Sequence, residues 1–129
     1  MKNNLTDRIK TIRVSNAVSV GTADANSSIV DMSGYEGIRF IVAYGTITDG
    51  PPAVKVQQGA AANLSDAADL TGTSVAVANS DDNKLAIVDV YAPQERYVRC
   101  VVVRGGATGC VIDGIVAEVY GARVEPVTQ

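Results

Sequence analysis

The segment that constrains the fold most is residues 96–120, RYVRCVVVRGGATGCVIDGIVAEVY, in which two valine-rich runs flank a glycine-rich sequence. Branched side chains pack well on a pleated sheet and lose rotamer freedom in a helix, so both runs are predicted to be strands. A short glycine-rich turn often joins two antiparallel strands. We therefore predict a long β-hairpin at the centre of an all-β domain.

Residues 38–47 show the cleanest two-residue alternation in the chain. Ile38, Phe40, Val42 and Tyr44 fall on one face of the predicted strand, and the remaining side chains fall on the other. The first face holds the single phenylalanine of the sequence. We predict that this face lines the hydrophobic core.

Other segments extend the same pattern. Residues 53–59 and 84–91 are predicted strands, whereas the alanine-rich residues 60–70 are predicted to form a structured loop or a short helix. The chain as a whole shows about eight strand signals with turn signals between them. This pattern predicts a single antiparallel β-sandwich or jelly roll with at most one short helix.

The length of 129 residues suits one domain with one core. We divide the chain into a flexible N-terminal arm (residues 1–8), a β-sandwich domain (9–121) and a C-terminal tail (122–129). The N-terminus has no apolar run, which argues against a secretory signal. No window approaches the roughly 18 apolar residues that predict a membrane span, so no membrane partner is expected.

Charge and residue types argue against several classes of function. The net charge is −3, from 11 basic and 14 acidic residues, and the arginines are scattered among the acids. Binding to a nucleic-acid backbone needs clustered positive charge, so no nucleic-acid partner is predicted. The chain has no histidine, which removes the usual base of a hydrolase triad and the ligands of cupin-type metal sites. We predict that the protein is not an enzyme, with no cofactor and no catalytic, cofactor-binding or metal-binding residue, although serine–lysine or paired-carboxylate chemistry is left open.

Two acidic pairs, Asp66 with Asp69 and Asp81 with Asp82, offer oxygens of the kind that Ca²⁺ binds. Neither pair fits an EF-hand loop, and both lie in polar turns. We therefore interpret them as solvated loop carboxylates.

Both cysteines, Cys100 and Cys110, lie in the predicted central hairpin. They do not form a CxxC motif, and two thiols without a histidine make a poor zinc site. We predict two buried, reduced thiols rather than a disulfide. Whether the two side chains approach each other is left open.

Both faces of residues 98–103 and 112–119 are partly apolar, although a single sandwich buries only one face of each strand. The excess favours contact with a neighbouring subunit, and the alternative is that valines are simply exposed on the outer surface. Five tyrosines offer a stacking platform for a sugar or a base, but core and interface positions fit better in a chain without tryptophan: Tyr35, Tyr44, Tyr91, Tyr97 and Tyr120.

Several short phrases occur in a characteristic order: VDMSGY at residues 30–35, GTITDG at 45–50, VKVQ at 54–57, ADL at 68–70 and RYVR at 96–99. This order resembles the small β-sandwich proteins found near the major capsid gene of tailed bacteriophages. Several of those proteins are similar to capsid decoration, or cement, proteins. The resemblance extends over residues 9–119 and rests on turn sequences rather than on catalytic motifs.

The resemblance implies a structural virion protein, made in the host cytoplasm, that binds the outside of the phage head and stabilises contacts between major capsid subunits. It also implies self-association, as a homotrimer. The residues predicted to contact the capsid or a neighbouring subunit are Arg8, Ile9, Lys10, Ile12, Arg13, Tyr97, Arg99 and Arg104. Two alternatives remain: another phage structural component, such as a head–tail connector or a tail subunit, and a carbohydrate-binding β-sandwich module.

Overall fold

A computed structural model describes residues 4–19, 21, 23–47, 52–78, 81–104 and 110–129. Within these residues the chain forms one 3-10 turn and ten β-strands. The turn is Leu5–Asp7, and the strands are β1 Lys10–Ser15, β2 Ala25–Asn26, β3 Val30–Asp31, β4 Gly37–Ile47, β5 Ala53–Gly59, β6 Ala68–Asp69, β7 Val75–Ala76, β8 Leu85–Tyr91, β9 Tyr97–Val103 and β10 Cys110–Tyr120.

The strands form two antiparallel sheets with the hydrophobic core between them, which confirms the predicted all-β sandwich. The four-stranded sheet has the order β1-β10-β4-β8. The six-stranded sheet has the order β2-β9-β5-β6, with β3 also paired to β9 and β7 also paired to β5. Four of the ten strands are only two residues long, which is why about eight were predicted.

Strand β4 shows how the sequence produces the core. It lies between β10 and β8, and its side chains alternate between the two faces of the sheet. Ile38, Phe40 and Val42 are fully buried, and Tyr44 is nearly so, as the alternation predicts. Full burial of an aliphatic or aromatic side chain contributes roughly 1.5–3 kcal/mol, so this face anchors the sandwich.

The predicted central hairpin is wrong. Strand β9 pairs with β5 in the six-stranded sheet, whereas β10 pairs with β1 and β4 in the four-stranded sheet. The two valine-rich runs therefore face each other across the core instead of lying side by side, and the joining residues 105–109 lie outside the described part of the chain. In this arrangement each run lies inside its own sheet, and its core-facing side chains reach the core of the sandwich.

Residues 60–70 form a structured loop that includes the short strand β6, and not the short helix that was offered as one alternative. The Asp66 carboxylate accepts hydrogen bonds from the backbone N–H groups of Ala60 and Ala61. Such local bonds give the backbone an alternative to helical pairing. The described residues contain no helix that is long and apolar enough to cross a membrane.

Candidate interaction surface

The outer face of the four-stranded sheet, which points away from the core, carries a row of aliphatic side chains. Val116 of β10 lies opposite Ile41 of β4, and Ile41 lies opposite Ile87 of β8. A shallow depression of about 500 Å³ lies over part of this face. We call the following residues the apolar outer face: Ile41, Ala43, Leu85, Ile87, Gly114 and Val116.

A charged row runs beside the aliphatic one. Glu118 of β10 lies opposite Arg39 of β4, which in turn lies opposite Asp89 of β8. The Arg39 guanidinium donates to the Glu118 carboxylate, and this hydrogen bond raises the pKa of Arg39. Tyr120 donates its hydroxyl to Asp89 Oδ1 at 2.6 Å. Burial, and then the hydrogen bond to Asp89, raises the pKa of Tyr120 to about 12.

Strand β8 forms one edge of the four-stranded sheet. Tyr44 donates its N–H to the Lys84 carbonyl, and Ala92 donates to the Glu36 carbonyl, so even-numbered residues bond to β4. Hydrogen bonding alternates along an antiparallel ladder, so Leu85, Ile87 and the following odd-numbered residues point their backbone groups away from the sheet.

The side chains along this edge are unusually apolar for a sheet margin. Leu85 is 62% exposed, Ile87 48% and Tyr91 68%. An exposed edge with apolar side chains is a template for pairing with another strand, and proteins usually shield such edges with charge, proline or a covering segment.

A groove follows the same edge. It has a volume of about 210 Å³ and lies between β8 and the short strand β7 of the other sheet. Val75 and Val77 line one wall, and Leu85 and Ile87 are among the residues on the other. Among the described residues, the edge of β8 therefore presents backbone groups without a partner together with an apolar groove.

The opposite edge of the same sheet, strand β1, is covered by other parts of the chain. The side-chain amide of Gln129 accepts from the Thr11 N–H at 3.1 Å and donates to the Ile9 carbonyl at 2.7 Å. The Ser28 N–H donates to the Val14 carbonyl at 2.7 Å. The C-terminal tail thus supplies a partner where a neighbouring strand would otherwise bind.

The outer face of the six-stranded sheet combines polar side chains of β5 and β9 with Val101 and Val103 of β9. Lys55 and Gln57 of β5 both donate to the Asp69 carboxylate, and these two hydrogen bonds lower the pKa of Asp69. Arg99 of β9 donates twice to Gln57 Oε1, at 2.9 and 2.7 Å. The polar groups of this face are paired with one another, in contrast to the apolar outer face.

Five of the predicted contact residues lie together at the start of β1. Ile12 packs against the core, whereas Arg13 is exposed and lies opposite Val116. Lys10 lines a surface groove with residues of the C-terminal tail. Arg8 is exposed and Ile9 is half-buried. The structure brings these residues together on the covered edge.

The other three predicted contact residues lie elsewhere. Tyr97 and Arg99 lie on the six-stranded sheet, where the guanidinium of Arg96 lies 5.2 Å from the centre of the Tyr97 ring. Arg104 is only 6% exposed, which corrects the expectation that it reaches the surface. Its guanidinium donates to the carbonyls of Ser19, Ala23 and Cys110 at 2.7, 2.8 and 3.2 Å, so it ties together segments of its own chain.

A polar cleft lies at one end of the sandwich, where the turn before β4 meets the turn after β8. Its volume is about 460 Å³. The cleft combines two tyrosines with carboxylate, amide and guanidinium groups: Tyr35, Glu36, Tyr91, Gln94, Arg96 and Arg123. Such a combination can contact a sugar ring by stacking and by hydrogen bonds.

The thiols of both cysteines lie in the core and are not exposed at the surface. Cys100 and Cys110 are free and buried, as predicted, but they belong to different sheets. Burial raises the pKa of Cys100 to about 12 and also raises the pKa of Cys110, so both are thiols at neutral pH. The buried Tyr44 hydroxyl has no hydrogen-bond partner within the described structure, and burial raises its pKa.

The carboxylates of the second acidic pair, Asp81 and Asp82, stabilise loops by accepting hydrogen bonds from backbone N–H groups. Asp81 accepts from the Ala78 N–H and from Lys84, and the backbone bond is the main reason that its pKa is lowered. Asp82 accepts from the Ile47 N–H at 2.8 Å. Across the described ranges no group of three or more histidine, cysteine or acidic residues is arranged to hold a metal ion.

Leu85 and Ile87 were not among the predicted contact residues, and Tyr91 was predicted only as one of five core or interface tyrosines. Residues 84–91 were predicted as a strand, and the signal was present, because Leu85, Ile87 and Tyr91 alternate with Ala86, Val88 and Val90 and make both faces apolar. That pattern cannot distinguish a central strand from an edge strand, and only the sheet order shows that one face is exposed.

Comparison with known proteins gives similarity of fold. No protein-family model and no curated protein sequence matches the chain. A subunit of the disulfide-linked pili that form Bacillus endospore appendages matches over 93% of each chain, with 14% identity and a TM-score of 0.56. The SPBc2 prophage-derived protein YomS matches over 92% of this chain and 100% of its own, with 10% identity and a TM-score of 0.53.

A third similar structure is the Podospora anserina GH26-CBM35 β-(1,4)-mannanase. The match covers 92% of this chain but only 29% of the mannanase chain, with 13% identity and a TM-score of 0.50. Identities this low establish a shared β-sandwich fold and nothing about function.

Proposed function

We propose that the protein is a structural component of a phage virion that binds the outside of the head and stabilises contacts between major capsid subunits. The observation that carries the proposal is the apolar outer face with its adjoining free edge on β8. A small domain that exposes aliphatic side chains in a contiguous row has a surface suited to protein contacts. The proposed role is mechanical and non-catalytic.

Two of the similar structures support an assembly role for this fold. One is a pilus subunit and the other is prophage-derived. The pili are disulfide-linked, whereas Cys100 and Cys110 of this chain are both 0% exposed. Neither thiol can reach a neighbouring subunit without opening the core. We therefore propose that this protein attaches through non-covalent contacts.

The proposed partner is the major capsid protein, and the proposed location is the outer surface of the head. The exposed side chains of Arg8, just before β1, and of Arg13 in β1 would contribute polar contacts beside the apolar outer face. Interfaces of this kind combine an apolar centre with a polar rim. Self-association on the head is part of the same proposal. The resemblance implies a trimer for the copies on the head, and the dimer proposed below concerns the free protein in solution.

The experiment is co-sedimentation of the purified protein with matched phage heads that lack it, counting the copies bound per head. Saturation at hundreds of copies, in a simple ratio to capsid subunits, supports the decoration role. Binding of only a few copies per head would instead indicate a head–tail connector or tail component. No binding to heads at any concentration would overturn the proposal.

A matched pair of variants locates the contact. Ile41→Lys places a charge in the middle of the apolar outer face, and we expect it to weaken binding to heads at least tenfold, which corresponds to about 1.4 kcal/mol. Val124→Lys makes the same chemical change at a tail residue that is 80% exposed, and we expect no loss. Equal binding by both variants would exclude the apolar outer face as the contact.

A second candidate function is carbohydrate binding in the polar cleft. The observation that favours it is the placement of Tyr35 and Tyr91 beside Glu36 and Arg96. A glycan array probed with the labelled protein tests it, and Tyr91→Ala should abolish any signal because it removes the most exposed ring. Glycan binding that survives Tyr91→Ala would exclude this cleft.

A further inference from the structure

We propose that two copies of this chain associate through strand β8, which pairs with its counterpart in a second copy about a two-fold axis. The two four-stranded sheets would then form one continuous antiparallel sheet. The inference concerns contacts between copies in solution, so it goes beyond binding to the head and does not depend on it.

The unpaired backbone of β8 is the first observation. The N–H and C=O groups of Leu85 and Ile87 point away from β4, as the alternation of the ladder requires. The side chains of the same two residues are 62% and 48% exposed. A strand with free donors, free acceptors and aliphatic side chains gains both hydrogen bonds and apolar burial when another strand is added.

The residue pattern of β8 is complementary to itself in one register. If Ala86 lies on the two-fold axis, Leu85 of each copy lies opposite Ile87 of the other copy, so aliphatic side chains meet twice. In the same register Asp89 lies beyond the N-terminal end of the partner's β8, which begins at Leu85, because Asn83 has a φ of 58° and donates its N–H to the Gly45 carbonyl of its own chain. The two Asp89 carboxylates lie at opposite ends of the paired segment and do not repel each other strongly.

An axis through Leu85 leaves Ile87 opposite Asn83, which lies outside β8 and has a φ of 58°, so only the Leu85 pair would be formed. Two registers shifted towards the C-terminal end of β8 are also less favourable. An axis through Ile87 places Leu85 opposite Asp89, and an axis through Val88 places Ile87 opposite Asp89. Both arrangements put a carboxylate against an aliphatic side chain, which costs desolvation without a hydrogen bond in return. The axis through Ala86 is therefore the register that we infer.

The other edge of the sheet is a poor partner for β8. The Gln129 side chain occupies the Thr11 N–H, and Ser28 occupies the Val14 carbonyl. A β8 strand could pair along β1 only after displacing these internal bonds. Pairing of β8 with itself needs no such displacement, and it would also close the groove between β8 and β7.

The experiment is sedimentation velocity of the full chain over a wide concentration range. We expect a reversible dimer of twice 13.4 kDa. Ile87→Lys and Ile87→Pro should both give a folded monomer, because the Ile87 N–H points away from β4 and has no partner among the described residues, and proline is tolerated at such an edge position. Val124→Lys and Arg13→Glu should dimerise like the wild type.

Three results would overturn the proposal. They are a wild type that stays monomeric up to millimolar concentration, a mass of three copies, and a dimer that persists in both Ile87 variants. No phage heads are present in this measurement. Failure here therefore leaves the proposed head binding standing, and failure to bind heads leaves the dimer standing.

Cross-linking tests the register separately. Opposed residues of a hydrogen-bonded antiparallel pair have Cα atoms about 5.5 Å apart, within the range of a disulfide. A mixture of the Leu85→Cys and Ile87→Cys variants should form a disulfide-linked dimer on mild oxidation, whereas each variant alone should not. Cross-linking of Ile87→Cys alone would place Ile87 on the axis and contradict the inferred register.

Discussion

The two edges of the four-stranded sheet differ in whether other described segments of the chain bond to their outward-facing backbone groups. Along β1, the Gln129 amide and the Ser28 N–H take up backbone groups that face outward. Along β8, the outward-facing backbone has apolar neighbours, with Leu85 and Ile87 exposed. One edge is covered by other segments of the chain, and the other is exposed among the described residues.

This difference matters because an unshielded edge is normally a liability. Soluble proteins cover or charge their edges to prevent unwanted pairing, and β1 follows that rule. Gln129 shields the β1 edge, whereas the β8 edge exposes Leu85 and Ile87 beside Asp89. The contrast, rather than either edge alone, is our reason for assigning β8 to a contact.

The largest expected loss of stability follows substitution of Arg104. Its guanidinium links the segment after β1 to β10 by donating to the Ser19 and Cys110 carbonyls. Arg104→Met removes the donor from three carbonyls, of which that of Cys110 is buried, and we expect the free energy of unfolding to fall by about 3 kcal/mol. Urea denaturation measures this loss. Arg99→Met is the matched control, because Arg99 is half-buried and bonds to the Gln57 side chain; equal losses in both variants would contradict the account.

Deletion of residues 127–129 opens the covered edge directly. It removes the bond from the Val127 N–H to the Asp7 carbonyl and those of the Gln129 amide. We expect a loss of about 2 kcal/mol in unfolding free energy, since exposed hydrogen bonds contribute modestly. We also expect association through β1 beyond the dimer, visible by sedimentation velocity. A truncated chain with unchanged stability and mass would show that the tail does not protect this edge.

A substitution of Gln129 tests the same hydrogen bonds along β1 with less disruption than the deletion. Gln129→Glu keeps an acceptor for the Thr11 N–H but cannot donate to the Ile9 and Thr6 carbonyls. We expect a loss of about 1 kcal/mol in urea denaturation at neutral pH. At acidic pH the protonated carboxyl regains one donor, so part of the loss should be recovered. Stability equal to the wild type at neutral pH would argue against the role of the amide.

The smallest expected effect is on the pH dependence of folding stability that Tyr120 contributes through its contact with Asp89 of β8. Tyr120 has a folded-state pKa raised from 10.0 to about 12, first by burial and then by the hydrogen bond to Asp89. The folded state therefore holds this proton longer than the unfolded state, and its contribution to stability is complete below pH 10 and declines up to about pH 12.

The variant Asp89→Asn removes the charge that helps to hold this proton. A difference titration of phenolate absorbance should show Tyr120 ionising at lower pH than in the wild type. The shift is expected to be partial, because burial, the larger cause, remains. Identical titrations would mean that the bond between Tyr120 and Asp89 does not form in solution.

The sequence predicts which residues form strands better than it predicts which strands pair with each other. Alternation in residues 38–47 correctly identified β4 and its core-facing side chains, because a two-residue period is a local property. The glycine-rich joint after β9 did not indicate whether the next strand pairs in the same sheet or crosses to the other one. Strand pairing depends on contacts that a local pattern does not record.

The candidate surface depends on distant contacts in the same way. The Gln129 amide meets the Thr11 N–H across a separation of 118 residues, so no local motif predicts a covered β1 edge. Arg104 resembles a surface cation in the sequence, yet it bonds to carbonyls of Ser19 and Ala23 far along the chain. The sequence shows that residues 84–91 are apolar. Only the position of β8 at the edge of the sheet shows that Leu85 and Ile87 are exposed.

The most direct measurement is residue-resolved amide hydrogen exchange at low and high protein concentration. The account predicts that the Leu85 and Ile87 amides gain protection as the concentration rises, whereas the Arg13 amide does not change. The Thr11 amide should be protected at both concentrations by Gln129. Unchanged exchange at Leu85 and Ile87, or new protection at Arg13, would contradict the assignment of β8 as the edge that takes a partner.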